Sequence, residues 1–216
     1  MTRRLKNFKR LRRNIDVAPL LDEVMHHADL WDRDTSRQDQ LAIHGQTRAF
    51  MLWCYTEPAS ADKLFRESFP GAFTYVGRRR DNVATKFPRT CHFVEQVARR
   101  SLGLLGRVAI VSLKPRGKVE RHVDDGMYYK LRSRFHLVLK SPNGSRFVSG
   151  DEQTLMHEGE LWWLNNRLPH EAYNDSDQDR IHLIFDILSP ASFVASAGRS
   201  LRFRGQRVLA KIRRAT

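Results

Sequence analysis

The chain lacks the features that mark a secreted or a membrane protein. Two cysteines among 216 residues, Cys54 and Cys91, are too few for a disulfide framework, which favours a reducing compartment. No apolar run approaches the ~18–20 residues of a membrane span. No apolar segment of a signal peptide follows the basic start. We therefore expect a cytoplasmic protein with one hydrophobic core, since 41% of its residues are hydrophobic.

Acidic residues are absent from both ends of the chain. Residues 1–13 contain seven Lys or Arg, and residues 199–216 contain seven more, so the two ends account for the whole net charge of +14. The remaining residues, 14–198, are formally neutral and are not expected to bind nucleic acid by themselves.

The sequence leaves the role of the two basic ends open. Residues 1–13 are expected to be a solvated tail. Residues 199–216 have apolar side chains at helical spacing between basic ones, which is typical of an amphipathic helix on an anionic surface. Such a surface could be a membrane or a nucleic acid, and a helix packed on the body or on a partner subunit is an equal alternative. The sequence does not indicate the oligomeric state.

The body divides into two halves of different character. Residues 14–106 read as mainly helical, with one helix capped by Asn14 or Asp16 and a second from Arg89 to Leu105 that ends at Gly106. Residues 107–190 contain short β-rich segments separated by turn residues such as Pro142-Asn143-Gly144. This pattern predicts one domain, mainly β with flanking helices, whose core is an antiparallel barrel or a jelly roll of the cupin type. The predicted strands are 107–113, 134–140, 145–149, 161–164 and 180–188.

One short motif carries candidate metal ligands. In His122-Val123-Asp124 the first and third side chains would point the same way on a strand and could bind one metal together. The same pattern occurs at His27-Ala28-Asp29, in a helix-like stretch where side chains two residues apart diverge by about 200°. The pattern alone is therefore weak, and a hydrogen-bonded loop pair would be a sufficient explanation of it.

Two later residues strengthen the motif at His122. His170 follows it by 48 residues and Arg180 by 58, each next to a predicted strand. Two imidazoles and one carboxylate are the ligand set of the facial triad of non-haem Fe(II) oxygenases. A jelly roll brings such distant strand ends to one mouth, so the separation along the chain is no obstacle.

Two predicted strands each have a polar face that contains an arginine and a histidine. Arg134 and His136 share one face, and Arg180 and His182 share another. Arginine on a structural sheet usually faces water. Two matching faces instead favour a pocket inside the barrel that binds an anion, because the guanidinium fork binds carboxylates bidentately.

Five motifs in register resemble the aspartyl/asparaginyl β-hydroxylase family over about residues 88–190. The family has a double-stranded β-helix, requires Fe(II), and uses 2-oxoglutarate and O2 as co-substrates. The resemblance implies that His122, Asp124 and His170 are the catalytic iron ligands. It also implies that Arg180 pairs with the far carboxylate of 2-oxoglutarate, and that Arg134 and His136 help to hold this co-substrate. The motifs are RHVD at 121–124, RFHL at 134–137, GELWW at 159–163, PHEAYN at 169–174 and DRIHLIFD at 179–186.

The resemblance does not identify the substrate. The leading hypothesis is hydroxylation of an amino acid, free or within a peptide. A second is hydroxylation of a lipid acyl chain, with the basic ends recruiting the enzyme to its substrate. A cupin-like protein that binds a metal or a small anion without turnover is a third, and an adaptor on RNA or ribosomes is a fourth.

Overall fold

The computed structural model describes residues 7–32, 45–55 and 77–190 of the chain. These residues form two antiparallel sheets, with helices on the outer side of the larger one. The helices are α1 (Ala18–His26), a 3-10 helix (Ala28–Asp32), α2 (Asp81–Ala84), α3 (Pro88–Arg100) and α4 (Met127–Leu131). The strands are β1 (Phe8–Arg12), β2 (Thr47–Tyr55), β3 (Gly77–Arg79), β4 (Leu104–Leu113), β5 (Lys118–His122), β6 (Ser133–Lys140), β7 (Ser145–Ser149), β8 (Glu152–Thr154), β9 (Leu161–Leu164), β10 (His170–Asn174) and β11 (Arg180–Leu188).

The two sheets face each other as in a jelly roll. The larger sheet has the strand order β1-β9-β6-β11-β4-β2-β3, and the smaller has the order β5-β10-β7-β8. Apolar side chains of both sheets meet between them, including Val138 and Trp162 from the larger sheet and Phe147 and Ala172 from the smaller. This arrangement confirms the predicted jelly-roll fold class.

Each central strand of the larger sheet has two different faces. On β11, Leu183 and Phe185 point outward and pack with Val24 of α1 and Val94 of α3 in one hydrophobic core. On the opposite face of the strand, Arg180, His182 and Ile184 point inward and line a cavity between the sheets. The strand therefore separates an apolar core under the helices from a polar interior, as its alternation predicted.

The helices differ from their predicted bounds. The N-cap of α1 is Val17, without a side-chain cap hydrogen bond, so the expected cap at Asn14 or Asp16 was wrong. Oδ1 of Asp16 accepts from the amide of Ala18, the first residue of α1, at 3.1 Å. The second helix ends at Arg100 rather than at Leu105. Leu102 adopts a left-handed conformation (φ 49°), so the helical turn cannot continue, and the chain enters β4 at Leu104. The expected end at Gly106 was wrong.

The amino-terminal region is more ordered and less helical than expected. Residues 8–12 are not a solvated tail, because they form β1 and pair with β9 at the edge of the larger sheet. The expected helical part, 14–106, also contributes β3 and the start of β4, while residues 48–55, which were expected to be a strand or a buried segment, lie in β2. The basic segment 199–216 lies outside the described residues. None of the helices that the structure describes is long and apolar enough to cross a membrane.

The predicted turn at Pro142-Asn143-Gly144 is confirmed. It connects β6 to β7, and the amide of Ser145 donates to the carbonyl of Pro142 at 3.1 Å. Gly144 has φ 97°, a conformation that side chains with a Cβ rarely adopt. This turn sets the point at which the chain passes from the larger sheet to the smaller one.

Candidate metal centre and anion pocket

The pairing of two short strands brings the three candidate ligands together. His170 begins β10 and lies directly opposite His122, the last residue of β5. Asp124 follows two residues later, where its amide donates to the carbonyl of Asn166 at 3.1 Å. One ligand atom from each of these three side chains lies within 4.8 Å of the others, and no other such group of three occurs in the part of the chain that the structure describes.

Both histidines use Nδ1 for a hydrogen bond to the backbone, so Nε2 is the nitrogen available to a metal. Nδ1 of His122 lies 2.7 Å from the carbonyl oxygen of Glu120, and Nδ1 of His170 lies 2.9 Å from that of Leu168. A carbonyl oxygen only accepts, so each Nδ1 has to carry a proton, and Nε2 is the nitrogen of each ring that could bind a metal. Burial lowers the pKa of His170 to about 4, so this imidazole is neutral at pH 7.

The carboxylate of Asp124 has two differently used oxygens. Oδ2 accepts hydrogen bonds from Arg134 and, at 3.0 Å, from Nδ2 of Asn166. Oδ1 lies 3.8 Å from Nε2 of His122. Burial acts to raise the pKa of Asp124, but Arg134 and His170 outweigh it and lower the pKa to about 2. Two imidazoles and one ionised carboxylate form a donor set that fits Fe(II).

Arg180 is a buried cation without an acidic partner. It is 6% exposed, and its guanidinium carbon lies 4.4 Å from the ring centre of Phe147. No carboxylate in the described parts of the chain forms a salt bridge with it. Burial lowers its pKa to about 9, so it remains charged at pH 7. A buried charge is costly unless it is paired, and this position therefore favours an anion.

Two buried histidines lie beside this cation. Nδ1 of His136 is 3.4 Å from Nδ1 of His182, and Nη2 of Arg180 is 3.4 Å from the same nitrogen of His182. Burial, together with Arg134 for His136 and Arg180 for His182, holds both pKa values well below 6.5. Both rings are therefore neutral, and neither Nε2 has a hydrogen-bond partner among the described residues.

The candidate ligands and the buried cation share one cavity. Its empty space, including the open mouth, is about 550 Å³. His122, His170, Arg180 and His136 line it together with Phe147 and other apolar side chains. His182 also lines the cavity and was not among the predicted site residues, although its position two residues after Arg180 on one strand face indicated it.

Arg134 lies in the site, but its observed bonds are to carboxylates of the protein. Nε and Nη2 donate to the two oxygens of Asp186 at 2.8 and 3.0 Å, and Nη1 donates to Asp124. The hydroxyl of Tyr128 also donates to Asp186, at 3.1 Å. Asp186 was not predicted as a site residue. That Arg134 helps to hold a co-substrate stays a prediction.

The second copy of the H-x-D pattern has a different setting from the first. His27 follows α1, and its ring packs edge-on against Phe87 with 5.5 Å between the ring centres. Asp29 lies in the 3-10 helix (Ala28–Asp32). Neither residue belongs to a group of three potential metal ligands among the described residues, and the interpretation of this copy as surface polarity stays a prediction.

Comparison with known proteins supports the fold and assigns the family. A prolyl hydroxylase from Trichoplax adhaerens, solved with a peptide fragment of the hypoxia inducible factor oxygen degradation domain, is 12% identical with a TM-score of 0.51. The match covers 88% of this chain and 87% of that one. The viral collagen prolyl hydroxylase of Paramecium Bursaria Chlorella virus-1 is 10% identical with a TM-score of 0.45, covering 85% and 96%. No curated protein matches the chain. The model of the family described as aspartyl/asparaginyl beta-hydroxylase matches residues 21–190, and the chain therefore belongs to this family.

Proposed function

We propose that the protein is an Fe(II)- and 2-oxoglutarate-dependent dioxygenase that hydroxylates an unactivated C–H bond of an amino acid, free or within a peptide. Decarboxylation of 2-oxoglutarate to succinate would accompany the reaction. The observation that carries the proposal is the unpaired buried cation Arg180 in the same cavity as three convergent metal ligands. Membership of the aspartyl/asparaginyl β-hydroxylase family supports it independently.

The metal centre would be held by His122, Asp124 and His170. Bound Fe(II) would supply the activation of O2 that this chemistry needs. The protein presents Nε2 of two imidazoles and one carboxylate oxygen, whose single negative charge partly offsets a divalent cation. The carbonyl groups of Glu120 and Leu168 fix both rings through Nδ1, so that the donor atoms are oriented before the metal binds.

The far carboxylate of 2-oxoglutarate would pair with Arg180. The guanidinium is held against Phe147 and is shielded from water, so a charge-assisted bond formed there would be stronger than one at the surface. Nη2 of Arg180 can only donate, so Nδ1 of the neutral His182 accepts and its Nε2 carries the proton that would be donated to an anion. Nε2 of His136 also has no hydrogen-bond partner among the described residues and would contact the co-substrate in the same cavity. We assign His136 to the co-substrate on these grounds.

An amino-acid or peptide substrate is the preferred assignment. The Trichoplax adhaerens protein that shares this fold was solved with a peptide fragment. A screen of free amino acids and short peptides for stimulated 2-oxoglutarate decarboxylation, with product masses measured, would test the assignment. A gain of one oxygen in one class of compound is the expected result, and no such product from either class would contradict the substrate assignment.

The co-substrate site can be tested without knowing the substrate. Arg180→Met should raise the apparent KM for 2-oxoglutarate by about 10–100-fold, because one charge-assisted pair contributes about 1.5–3 kcal/mol. Metal affinity should change less than about threefold. Arg116→Met, which removes an exposed arginine paired with Asp177, is the matched control and should leave the KM unchanged. An unchanged KM in Arg180→Met would remove Arg180 from the site.

The metal centre has its own test. Replacing His122, Asp124 or His170 by Ala in iron-saturated protein should abolish the formation of succinate from 2-oxoglutarate. Near-normal turnover in all three variants would rule out this centre. Because the measurement needs only Fe(II), O2 and 2-oxoglutarate, it also separates a dioxygenase from a binding protein without turnover.

A further inference from the structure

A buried pair of opposite charges lies directly behind the metal-binding carboxylate. Arg134 on β6 and Asp186 on β11 are cross-strand partners in the larger sheet. Nε and Nη2 of the guanidinium donate to the two oxygens of Asp186, and Nη1 donates to Asp124. One cation therefore joins two carboxylates, of which only Asp124 is a candidate metal ligand. We refer to Asp124, Arg134 and Asp186 as the carboxylate clamp.

We propose that Asp186 is a positioning residue of the metal centre. It neutralises Arg134 and restrains that arginine to a single bond with Asp124, so that the other oxygen and the negative charge of Asp124 stay available to a divalent cation. This inference rests on the proposed function to the extent that the centre has to bind a divalent metal. It does not depend on the identity of the substrate.

The charges of the site favour this role. Asp124 supplies the negative charge of the three candidate ligands, and Arg134 alone would cancel it. Asp186 restores a net charge of one negative unit beside the metal position. Since Arg134 is 8% exposed and Asp186 only 1%, water screens these charges poorly, and the balance matters more than it would at the surface.

The two carboxylate oxygens of Asp124 make different contacts. Oδ2 accepts from Arg134 and from Asn166, while Oδ1 faces Nε2 of His122 at 3.8 Å. Arg134 cannot turn to embrace both oxygens of Asp124, because Nε and Nη2 are bound to Asp186. The clamp therefore leaves one carboxylate oxygen directed at the two histidines.

The clamp is anchored to the sheet from behind. The hydroxyl of Tyr128 donates to Oδ2 of Asp186 at 3.1 Å and accepts from the amide of Arg107 at 2.7 Å. Burial raises the pKa of Tyr128 above its usual value, so the hydroxyl keeps its proton. A Cβ at Gly106 would lie 2.3 Å from this hydroxyl, which explains why a residue without a side chain occupies that position on β4.

A purely structural ion pair is the competing explanation. In that case Asp186 would contribute to folding, and its loss would not alter the metal centre specifically. The two explanations predict different metal affinities for a variant in which Arg134 and Asp186 both lose their charge. If Asp186 acts by neutralising Arg134, loss of both charges should harm metal binding less than loss of Asp186 alone.

The test is a titration of the full-length protein with Co(II), used as a probe of the iron site. Asp186→Asn should weaken Co(II) binding by about 10–100-fold, the usual effect of losing a residue that orients a metal ligand. The double variant Arg134→Gln with Asp186→Asn should regain at least half of that loss on a logarithmic scale. The visible absorption of bound Co(II) should also differ between Asp186→Asn and the wild type, because the coordination of Asp124 changes.

Glu160→Gln is the matched control. Glu160 is a buried carboxylate that pairs with Arg10 at 2.8 Å and accepts from Nε1 of Trp162 at 2.9 Å. It contacts none of the three candidate ligands. Its replacement should lower the thermal stability while Co(II) affinity stays within about twofold, since a charge pair far from a site affects folding rather than binding there.

Each outcome decides the proposal. The proposal would be overturned if Asp186→Asn bound Co(II) within twofold of the wild-type affinity. It would also be overturned if the double variant bound Co(II) as weakly as Asp186→Asn does. If Asp186→Asn does not fold, the double variant alone tests the proposal. Its site keeps the wild-type net charge, so it should bind Co(II) within about tenfold of the wild-type affinity. A loss beyond hundredfold would overturn the proposal. Absence of Co(II) binding by the wild type would overturn the metal centre of the proposed function itself.

Discussion

At the scale of single residues, Arg180 should lower the stability of the protein without ligand and should strengthen the binding of an anion. Arg180 is buried, carries a charge at pH 7, and has Phe147 and two neutral histidines as neighbours rather than a carboxylate. No carboxylate among the described residues compensates this charge, and the anionic ligand proposed above would do so. The same residue should therefore have opposite effects on stability in the absence and presence of that ligand.

Arg180→Met should stabilise the protein when no co-substrate is present. Removing an unpaired buried charge and keeping an apolar side chain of similar length should raise the free energy of unfolding by about 1–3 kcal/mol. Chemical denaturation with and without 2-oxoglutarate would measure this. The wild type should gain stability from 2-oxoglutarate and the variant should not. A variant less stable than the wild type without ligand would show that Arg180 contributes to folding instead.

The sequence predicted the ligands of the site better than the residues that orient them. His122, Asp124, His170 and Arg180 were each found from spacing and strand parity, and they lie together in the structure. Asp186 shares a predicted strand face with Arg180, yet nothing in the sequence placed it opposite Arg134. Their partnership depends on the register between β6 and β11, two strands that are far apart in the chain and that no hairpin connects.

At the scale of secondary structure elements, the first strand changes the interpretation of the amino terminus. β1 has the sequence FKRLR, in which four of five side chains are exposed and three are basic. This composition is typical of a tail, and only Phe8 reveals the strand. Phe8 is 2% exposed and packs edge-on against Phe147, with 6.4 Å between the rings. The strand thus reaches the wall of the anion pocket through one aromatic contact.

Phe8→Ala should destabilise the protein although it lies in a basic segment near the end of the chain. Loss of a fully buried phenylalanine typically costs about 3–5 kcal/mol. Leu11→Ala is the control from the same strand, because Leu11 is 42% exposed and should change the free energy of unfolding by less than about 1 kcal/mol. Urea denaturation of both variants would measure the difference. Equal effects would show that β1 does not contribute to the core.

The loop between β10 and β11 illustrates how polar residues place the site. Asn174 is fully buried, and its Nδ2 donates to the carbonyls of Leu113, Lys114 and Gln178. Its Oδ1 accepts from the amide and hydroxyl of Ser176. Three aspartates of this loop form salt bridges with arginines from other elements. The pairs are Asp175–Arg146, Asp177–Arg116 and Asp179–Arg48.

Asn174→Asp should be strongly destabilising despite its identical shape. The new carboxylate would direct an oxygen at three carbonyl oxygens, and leaving several buried polar groups unsatisfied costs at least about 3 kcal/mol. Asn143→Asp makes the same change at an exposed position in the β6–β7 turn and should have little effect. Thermal unfolding of the two variants at pH 7 would compare them. Similar melting temperatures would contradict the role of Asn174.

The accuracy of the strand predictions follows from composition. β7, β9 and β11 were predicted with their observed bounds. β9 and β11 are rich in apolar residues, and the Pro142-Asn143-Gly144 turn marks the start of β7. β10 was not predicted, since HEAYN contains only one aliphatic side chain, Ala172. Pairing with β5 and β7 on either side makes it a strand, and the pattern of a single chain does not reveal such pairing.

At the scale of the whole molecule, charge and site are separated. The fourteen excess positive charges belong to residues 1–13 and 199–216, whereas every candidate ligand lies in the formally neutral body. Within the body, the described surface arginines are often paired, as in Arg116–Asp177 and Arg146–Asp175. Long-range attraction to anionic partners should therefore come from the ends, and turnover of a small substrate from the body.

Removal of residues 199–216 tests this separation, because it removes seven basic residues without an acid. The truncated protein should elute from a cation exchanger at clearly lower salt, since each lost cation weakens binding to a polyanion. Its 2-oxoglutarate turnover with a small soluble substrate should stay within about twofold, as expected for a change remote from the site. Arg116→Gln, which removes one paired charge from the body, is the control for retention. Unchanged elution would show that these charges do not face the solvent, and lost turnover of the small soluble substrate would show that residues 199–216 contribute to the catalytic body.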